Sequence, residues 1–311
     1  MIRVIFFGSS SFSLPFLEFL LEHTDLIYVV TTEDKPKGRG KKVQFNIVKE
    51  FAYSKGTKIL TPLNLRDEEF ISKIVDIKLD LIVAASYGKI LPEEILKIPK
   101  LGAINIHPSL LPLYPGAEPI FWQIARGEEI SGVTIFEMNT KIDKGEIILQ
   151  ESINISQNDS YEDVEKSLTI LGVKLLKKVI NIIETASYIP RRKQEDKKVF
   201  YARKLLSQDE KINWGKPSKE IINKIRAFFP KIGAYTTFNG KRVKIFKAKR
   251  VKLNGEDVKP GTIVIKERDI FVKTGDSFIG IDSLKPEGKK IITAFEFING
   301  YLKNFDEPKF E

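Results

Sequence analysis

The chain has 311 residues, 42% hydrophobic and 30% charged, which is room for about two domains with cores of their own. It has no cysteine and two histidines, His23 and His107, which excludes disulfides, thiolate metal sites and multi-histidine metal centres. No apolar run approaches the roughly 18 residues of a membrane span, and the apolar part of MIRVIFFGSS is too short for a signal peptide, so a cytoplasmic protein is expected.

The first half alternates strands and helices. Ile2–Phe7 reads as a buried strand, and Gly8-Ser9-Ser10-Ser11 as a turn rich in free backbone N–H groups. Apolar residues at 12, 16, 17, 20 and 21 have helical spacing, and Leu26–Val30 is a second strand. This opening is a βαβ unit of a doubly wound α/β domain. His23 falls at the end of the first helix, where a structural role is expected. Residues 31–44 are polar and basic, with Pro36, Gly38 and Gly40, and read as a long loop. Gly38-Arg39-Gly40-Lys41-Lys42 lacks the spacing of a nucleotide phosphate loop, and a basic loop touching a phosphate backbone fits better. Helices are expected at 46–55 and 65–77, and strands near 57–60 and at 79–85. Pro92 opens a short helix after the loop Tyr87-Gly88-Lys89-Ile90-Leu91. Beyond the strand at 101–106, a helix is expected at 116–126, strands at 132–137 and 146–153, and a long helix at 160–187.

Residues 1–188 form the first expected domain, 189–207 a charged linker, and 208–311 the second. The linker contains IPRRKQEDKKVFYARK, which has almost no aliphatic residue. The second domain shows a helix at 218–228 and five short strands: 234–238, 243–248, 261–266, 269–274 and 278–281. Asn239-Gly240 is a hairpin turn between the first two, and a helix is expected at 293–302. Five strands of this kind suggest a small barrel of the oligonucleotide-binding type. Residues 1–189 carry 22 Lys and Arg against 25 Asp and Glu, while residues 190–311 carry 29 against 16. The net charge of +10 therefore lies wholly in the last part of the chain. A basic module beside a near-neutral one points to a polyanion, with nucleic acid the first candidate; a lysine-rich surface serving solubility remains the alternative.

The most informative stretch is Gly102-Ala-Ile-Asn105-Ile-His107-Pro108-Ser109-Leu110-Leu111-Pro112. Alternation along a strand sends Asn105 and His107 to one side, and Pro108 ends the strand. With Asp143, in the loop 138–146, they can form a site for acyl transfer to an amine. The amide holds the oxyanion, the imidazole handles the amine proton, and the carboxylate orients the ring.

Asn105-x-His107-Pro108-Ser109-Leu110-Leu111-Pro112, with Gly116-Ala-x-Pro119-Ile and Asp143-x-Gly145, resembles the signature of the 10-formyltetrahydrofolate-dependent formyltransferases. The opening Phe7-Gly8…Phe12 turn, the 38–42 loop, Tyr87-Gly-x-Ile-Leu-Pro92, Arg226-Ala-Phe…Pro230, the run from Val243, Pro260-Gly-Thr-Ile and Leu284-Lys-Pro-x-Gly-Lys-Lys extend the likeness along nearly the whole chain. The resemblance implies a Rossmann-like catalytic domain, a C-terminal OB-like β-barrel, and Asn105, His107 and Asp143 as the catalytic trio. It implies 10-formyltetrahydrofolate as co-substrate, with no metal, lying against Tyr87, Gly88, Ile90, Leu91, Ser109, Leu110, Leu111 and Pro112. The implied acceptor is the methionyl α-amine of initiator tRNA, bound by Arg39, Lys41, Lys42 and Lys204, with the enzyme acting as a monomer in translation initiation. One segment departs from the family. Leu113-Tyr-Pro-Gly-Ala-Glu118 replaces the usual Arg-aromatic-Arg-Gly-Ala-Ala, losing two positive charges and gaining a carboxylate. An amino-sugar nucleotide is therefore the alternative acceptor, and an RNA binder with an inert α/β half is the alternative of another class.

Overall fold

The computed structural model describes residues 1–37, 42–44, 46–186, 188–195, 199–251, 253 and 258–311, with the backbone alone for 35–37 and 42–44. Two compact units emerge. The first comprises Met1–Pro119, Ser131–Ile153 and Glu165–Arg203; the second comprises Ile120–Ile130, Asn154–Val164 and Lys204–Glu311.

The first unit is built on a seven-stranded sheet. In spatial order its strands are β5 (Ile59–Leu60), β2 (Asp25–Val30), β1 (Arg3–Gly8), β6 (Leu81–Ala85), β7 (Ala103–His107), β8 (Ile130–Glu137) and β9 (Ile147–Asn154). The pairs from β5 to β7 are parallel, and β8 runs antiparallel to β7. Val4 to Phe7 and Leu81 to Ala85 are buried throughout, as strands covered on both faces must be. One covering layer joins Ile5, Phe7, Ile82 and Ala84 to Phe70 and Ile74 of α3 (Glu68–Val75) and Ile95 of α4 (Glu93–Leu96). The helices start where short polar side chains stop the strand geometry: Asn46 accepts from Val48 N before α2 (Ile47–Ser54), and Asp67 from Phe70 N before α3.

From β1 the chain steps outward to β2 and later returns to the other flank of β1 as β6, so the strand order reverses between β1 and β6. Ligands of open α/β sheets settle outside the strand ends at such a point. There Ser9 ties the two ends together. Its N–H donates to Ser86 O at 3.2 Å, and its hydroxyl contacts Ser86 O at 2.8 Å and Tyr87 O at 2.9 Å. α1 (Leu14–His23) follows after a short 3-10 turn at Ser11–Ser13. His23 has the expected structural role: its ring stacks on Phe19 at 4.3 Å and contacts Phe19 O at 2.9 Å.

Three expectations change. The loop expected at 31–44 contains an antiparallel pair, β3 (Lys35–Lys37) with β4 (Lys42–Gln44); its polar composition gave no apolar alternation to reveal it. The described residues of 189–203 group with the first unit and bond to it through Arg192, Gln194 and Ala202, so they are not a free linker. α5 (Pro119–Arg126), apart from its first residue, groups with the second unit, where Phe121 packs on Phe228 at 4.5 Å.

The second unit holds α7 (Ser218–Phe228) and an antiparallel sheet. Its order is β10 (Ala234–Phe238), β11 (Lys241–Val251), β14 (Phe278–Pro286), β13 (Asp269–Lys273) and β12 (Ile263–Lys266), with β15 (Ile292–Thr293) beside β14. Its two edge strands are joined through residues 308–311. Ile263 N donates to Pro308 O at 2.8 Å and Phe310 N to Gly261 O at 2.9 Å, while Thr237 and Glu311 exchange backbone hydrogen bonds of 3.2 and 3.0 Å. Sealed edges remove the open ladder that would recruit another chain. Inside, the Phe310 ring lies 5.7 Å from Trp214, 6.0 Å from Phe238 and 6.1 Å from Phe297. The polar end of Trp214 is satisfied by Thr236 Oγ1 at 3.0 Å. The helix expected at 293–302 is α8 (Ala294–Phe297), capped by Thr293, followed by a π turn at Ile298–Leu302.

Candidate active site

β7 delivers Asn105 and His107 to the carboxyl end of the sheet, as alternation requires. The Asn105 backbone pairs with Ala84 on β6 and Phe136 on β8. Its side chain is half-buried, and among the described residues no hydrogen bond engages its amide. The amide is thus held by its strand yet free to meet a ligand. His107 is 4% exposed. After Pro108 the chain turns sharply, with Ser109 N donating to His107 O at 2.9 Å. The segment beyond is fastened from two strands. Thr134 on β8 donates to Ser109 O at 2.6 Å and accepts from Leu111 N at 3.1 Å, and Gln150 on β9 donates to Leu111 O at 2.8 Å.

His107 and Asp143 come together. Nδ1 of the ring lies 3.7 Å from Asp143 Oδ2, with side chains 5% and 12% exposed. Nε2 lies 3.0 Å from the Tyr114 carbonyl. A carbonyl only accepts, so Nε2 carries a hydrogen and Nδ1 is the nitrogen turned to the acid. The carboxylate is itself anchored: Gly116 N donates to Asp143 Oδ2 at 2.8 Å, a charge-assisted bond. One short stretch therefore grips both partners, Tyr114 through its C=O and Gly116 through its N–H. Its backbone is unusual enough to do so, with φ of +55° at Tyr114 and +122° at Gly116. Asp143 also sits in the left-handed region, at φ +51°, which Asp tolerates better than most residues. Gly145 explains the spacing of Asp143-x-Gly145, because a Cβ there would lie 1.5 Å from Glu137 O.

The residues expected at the folate divide by burial. Gly88 is exposed at φ +83°, Ile90 is 63% exposed, and Leu110 and Pro112 are half-buried. The side chains of Tyr87, Leu91, Leu111 and Ser109 are buried instead. Ser86 takes a φ of +48°, and the Tyr87 ring enters the core, edge-on to Phe7 at 5.1 Å. Burial, with a smaller contribution from the charge of Glu33, pushes the Tyr87 hydroxyl well above its ordinary value. Ser109 donates its hydroxyl to Leu113 O at 2.6 Å. Arg39 and Lys41 lie outside the described residues, and Lys42 is described as backbone in β4. Lys204 is exposed and opens the second unit. Among the described residues no cluster of acidic, His or Cys side chains could hold a metal.

Residues 2–180 match the formyl transferase family and residues 204–302 its C-terminal domain. The chain belongs to the formyl transferase family. The methionyl-tRNA formyltransferase of Dictyoglomus thermophilum is 41% identical over 98% of this chain and 99% of its own. That of Thermodesulfovibrio yellowstonii is 38% identical over 96% and 95%. Among solved structures, the sugar 3N-formyl transferase WlaRD, determined with dTDP and 5-N-formyl-THF, is 27% identical. It has a TM-score of 0.68 and covers 93% of this chain and 99% of its own. Asn105 and His107 stand two residues apart on β7, and the His107 ring faces the Asp143 carboxylate. Sequence reasoning missed the side chains of Thr134 and Gln150, which grip the backbone of 109–111, and the Tyr114 carbonyl, which meets His107.

Proposed function

We propose that this formyl transferase moves the formyl group of 10-formyltetrahydrofolate to the α-amine of methionyl initiator tRNA, in preparation for translation initiation, and that it works as a cytoplasmic monomer. The observation that carries the reading is full-length likeness to methionyl-tRNA formyltransferases, the 41% identical relative included; the proximity of His107 and Asp143 supports it. The excess of positive charge after residue 189 supports a polyanionic acceptor.

The neutral amine attacks the formyl carbon, and a carbon–nitrogen bond forms. The oxygen becomes an oxyanion, which the Asn105 amide holds. His107 Nδ1 takes part in removing the amine proton, and the nearby Asp143 carboxylate balances the charge that develops on the ring. Collapse breaks the bond to the folate nitrogen, and the proton leaves with that nitrogen. Arg39, Lys41, Lys42 and Lys204 are the proposed tRNA contacts; Gly88, Ile90, Leu110 and Pro112 are the proposed folate surface, backed by Tyr87, Leu91, Ser109 and Leu111.

The altered 113–118 segment keeps the amino-sugar nucleotide as the competing acceptor. An assay offering methionyl-tRNA and an amino-sugar nucleotide side by side, with 10-formyltetrahydrofolate, decides between them. Formyl incorporation into the tRNA alone is expected; incorporation into the sugar alone overturns the assignment. Failure of tetrahydrofolate to raise Tm would sink the folate reading altogether.

A further inference from the structure

The segment 191–202, which by composition looked like a passive connection, is bonded to both parts of the catalytic frame. At one end Arg191 pairs with Glu137, at the foot of the loop that carries Asp143, and Arg192 exchanges backbone hydrogen bonds of 2.8 Å with Ile147. At the other end Ala202 N donates to Pro115 O at 2.7 Å and Ala202 O accepts from Glu118 N at 3.0 Å, while the Phe200 ring lies 5.8 Å from that of Tyr114. Residues 114–118 are the stretch that holds the His107 ring and the Asp143 carboxylate.

Between these ends stands Gln194. Its amide nitrogen donates to Asp143 O at 2.8 Å and to Gly145 O at 2.9 Å. Two carbonyls facing one end of an amide fix that end as NH2, since the oxygen end would be repelled by both. The other end, Gln194 Oε1, is buried with no partner among the described residues. An orphaned buried acceptor destabilises the fold. What Gln194 contributes here is the pair of bonds its other end donates to the Asp143 loop.

We propose that Gln194 is a positioning residue for formyl transfer: it locks the backbone on both sides of Lys144 so that the Asp143 carboxylate meets Gly116 N and His107. The proposal rests on the reading of Asp143 as a member of the catalytic trio. Gln194 touches no reacting atom and acts through Asp143, which holds a strained left-handed conformation that the loop must be made to keep.

The test is a double-mutant cycle on the full chain, with kcat and KM measured across pH for the parent, Gln194→Ala, Asp143→Asn and the pair. Gln194→Ala is expected to lower kcat about tenfold, to leave both KM values within about twofold, and to displace the pH profile of kcat. In the Asp143→Asn background the same change should move kcat by less than about twofold. Gln194→Lys, which keeps donors at the position, should recover most of the loss; Gln194→Glu, which faces two carbonyls with a carboxylate, should not. These two variants carry the test if Gln194→Ala does not fold. A kcat within about twofold of the parent in Gln194→Ala overturns the proposal, as does a tenfold loss that persists undiminished in the Asp143→Asn background. Should Asp143→Asn itself keep parental kcat, the catalytic trio fails, which is a separate result.

Discussion

The catalytic corner of the first unit and the closed sheet of the second use opposite strategies. In the corner a few buried groups have specific partners: His107 with Tyr114 O and Asp143, Asp143 with Gly116 N, the 109–111 segment with Thr134. In the second unit the polar groups of interest are many and outward. Lys241, Arg242, Lys247, Lys249 and Arg250 on β11 are exposed, while Val243, Ile245 and Phe246 of the same strand face the core. The difference teaches where single changes act. The corner stakes its chemistry on positions accurate to a fraction of an ångström, so one substitution reaches the rate. If the sheet binds through summed charge, as proposed, only removal of its core has a large single-residue effect.

Phe310→Ala is the largest such effect. Phe310 is 1% exposed and touches Trp214, Phe238 and Phe297; its loss should destabilise the second unit by about 3–5 kcal/mol. Calorimetry should show a transition well below that of the parent, and a Tm unchanged within a degree would break the account of how the tail seals the sheet. Next comes the corner. Asn105→Ala and His107→Ala should each lower kcat by at least about a hundredfold with Tm little altered for Asn105, whose amide makes no bond within the described residues. Near-parental turnover in both would dissolve the contrast between the two regions.

The strands of the first unit were legible because buried parallel strands are continuous apolar runs: 79–85 and 101–106 differ from β6 and β7 by at most two residues at either end. Asn105 and His107 were legible for the same reason, through alternation. That Asp143 could join them was a guess from chemistry which the resemblance strengthened, because what ties it there is the N–H of Gly116 and the side chain of Gln194, 51 residues away along the chain. Backbone donors and carbonyls have no signature in sequence. The inward turn of the Tyr87 ring onto Phe7 was not legible, because it follows from a left-handed Ser86. The closing role of Pro308–Glu311 was equally hidden, since a four-residue edge segment carries too little pattern to read as a strand.

Smaller effects sharpen the contrast from the side of the second unit. If binding of methionyl-tRNA rests on phosphate contacts, its affinity should fall steeply with salt, and Lys204→Gln should lower the slope by about one while leaving kcat at saturation unchanged. A flat salt response would remove the tRNA role from the second unit, whatever the corner does.

The smallest expected effect is on acid stability, and it too separates the regions. Asp276 accepts from Ser218 N at 2.7 Å and from Thr274 Oγ1 at 3.0 Å, at the first turn of α7. The Ser218 backbone bond foremost, then the side-chain bonds from Thr274 and Ser218, hold its carboxyl below the ordinary Asp value. A carboxyl depressed in the folded state contributes stability that is present above its unfolded value, near 3.9, and is lost as pH falls through the lower folded value. The side chain is exposed, so solvent screens most of this. Asp276→Asn should therefore lower the Tm of the second unit slightly at neutral pH, and the gap between variant and parent should narrow below about pH 4. A gap that widened as the pH fell would mean that the carboxyl is held above its ordinary value, and the helix-start assignment for Asp276 would have to be given up.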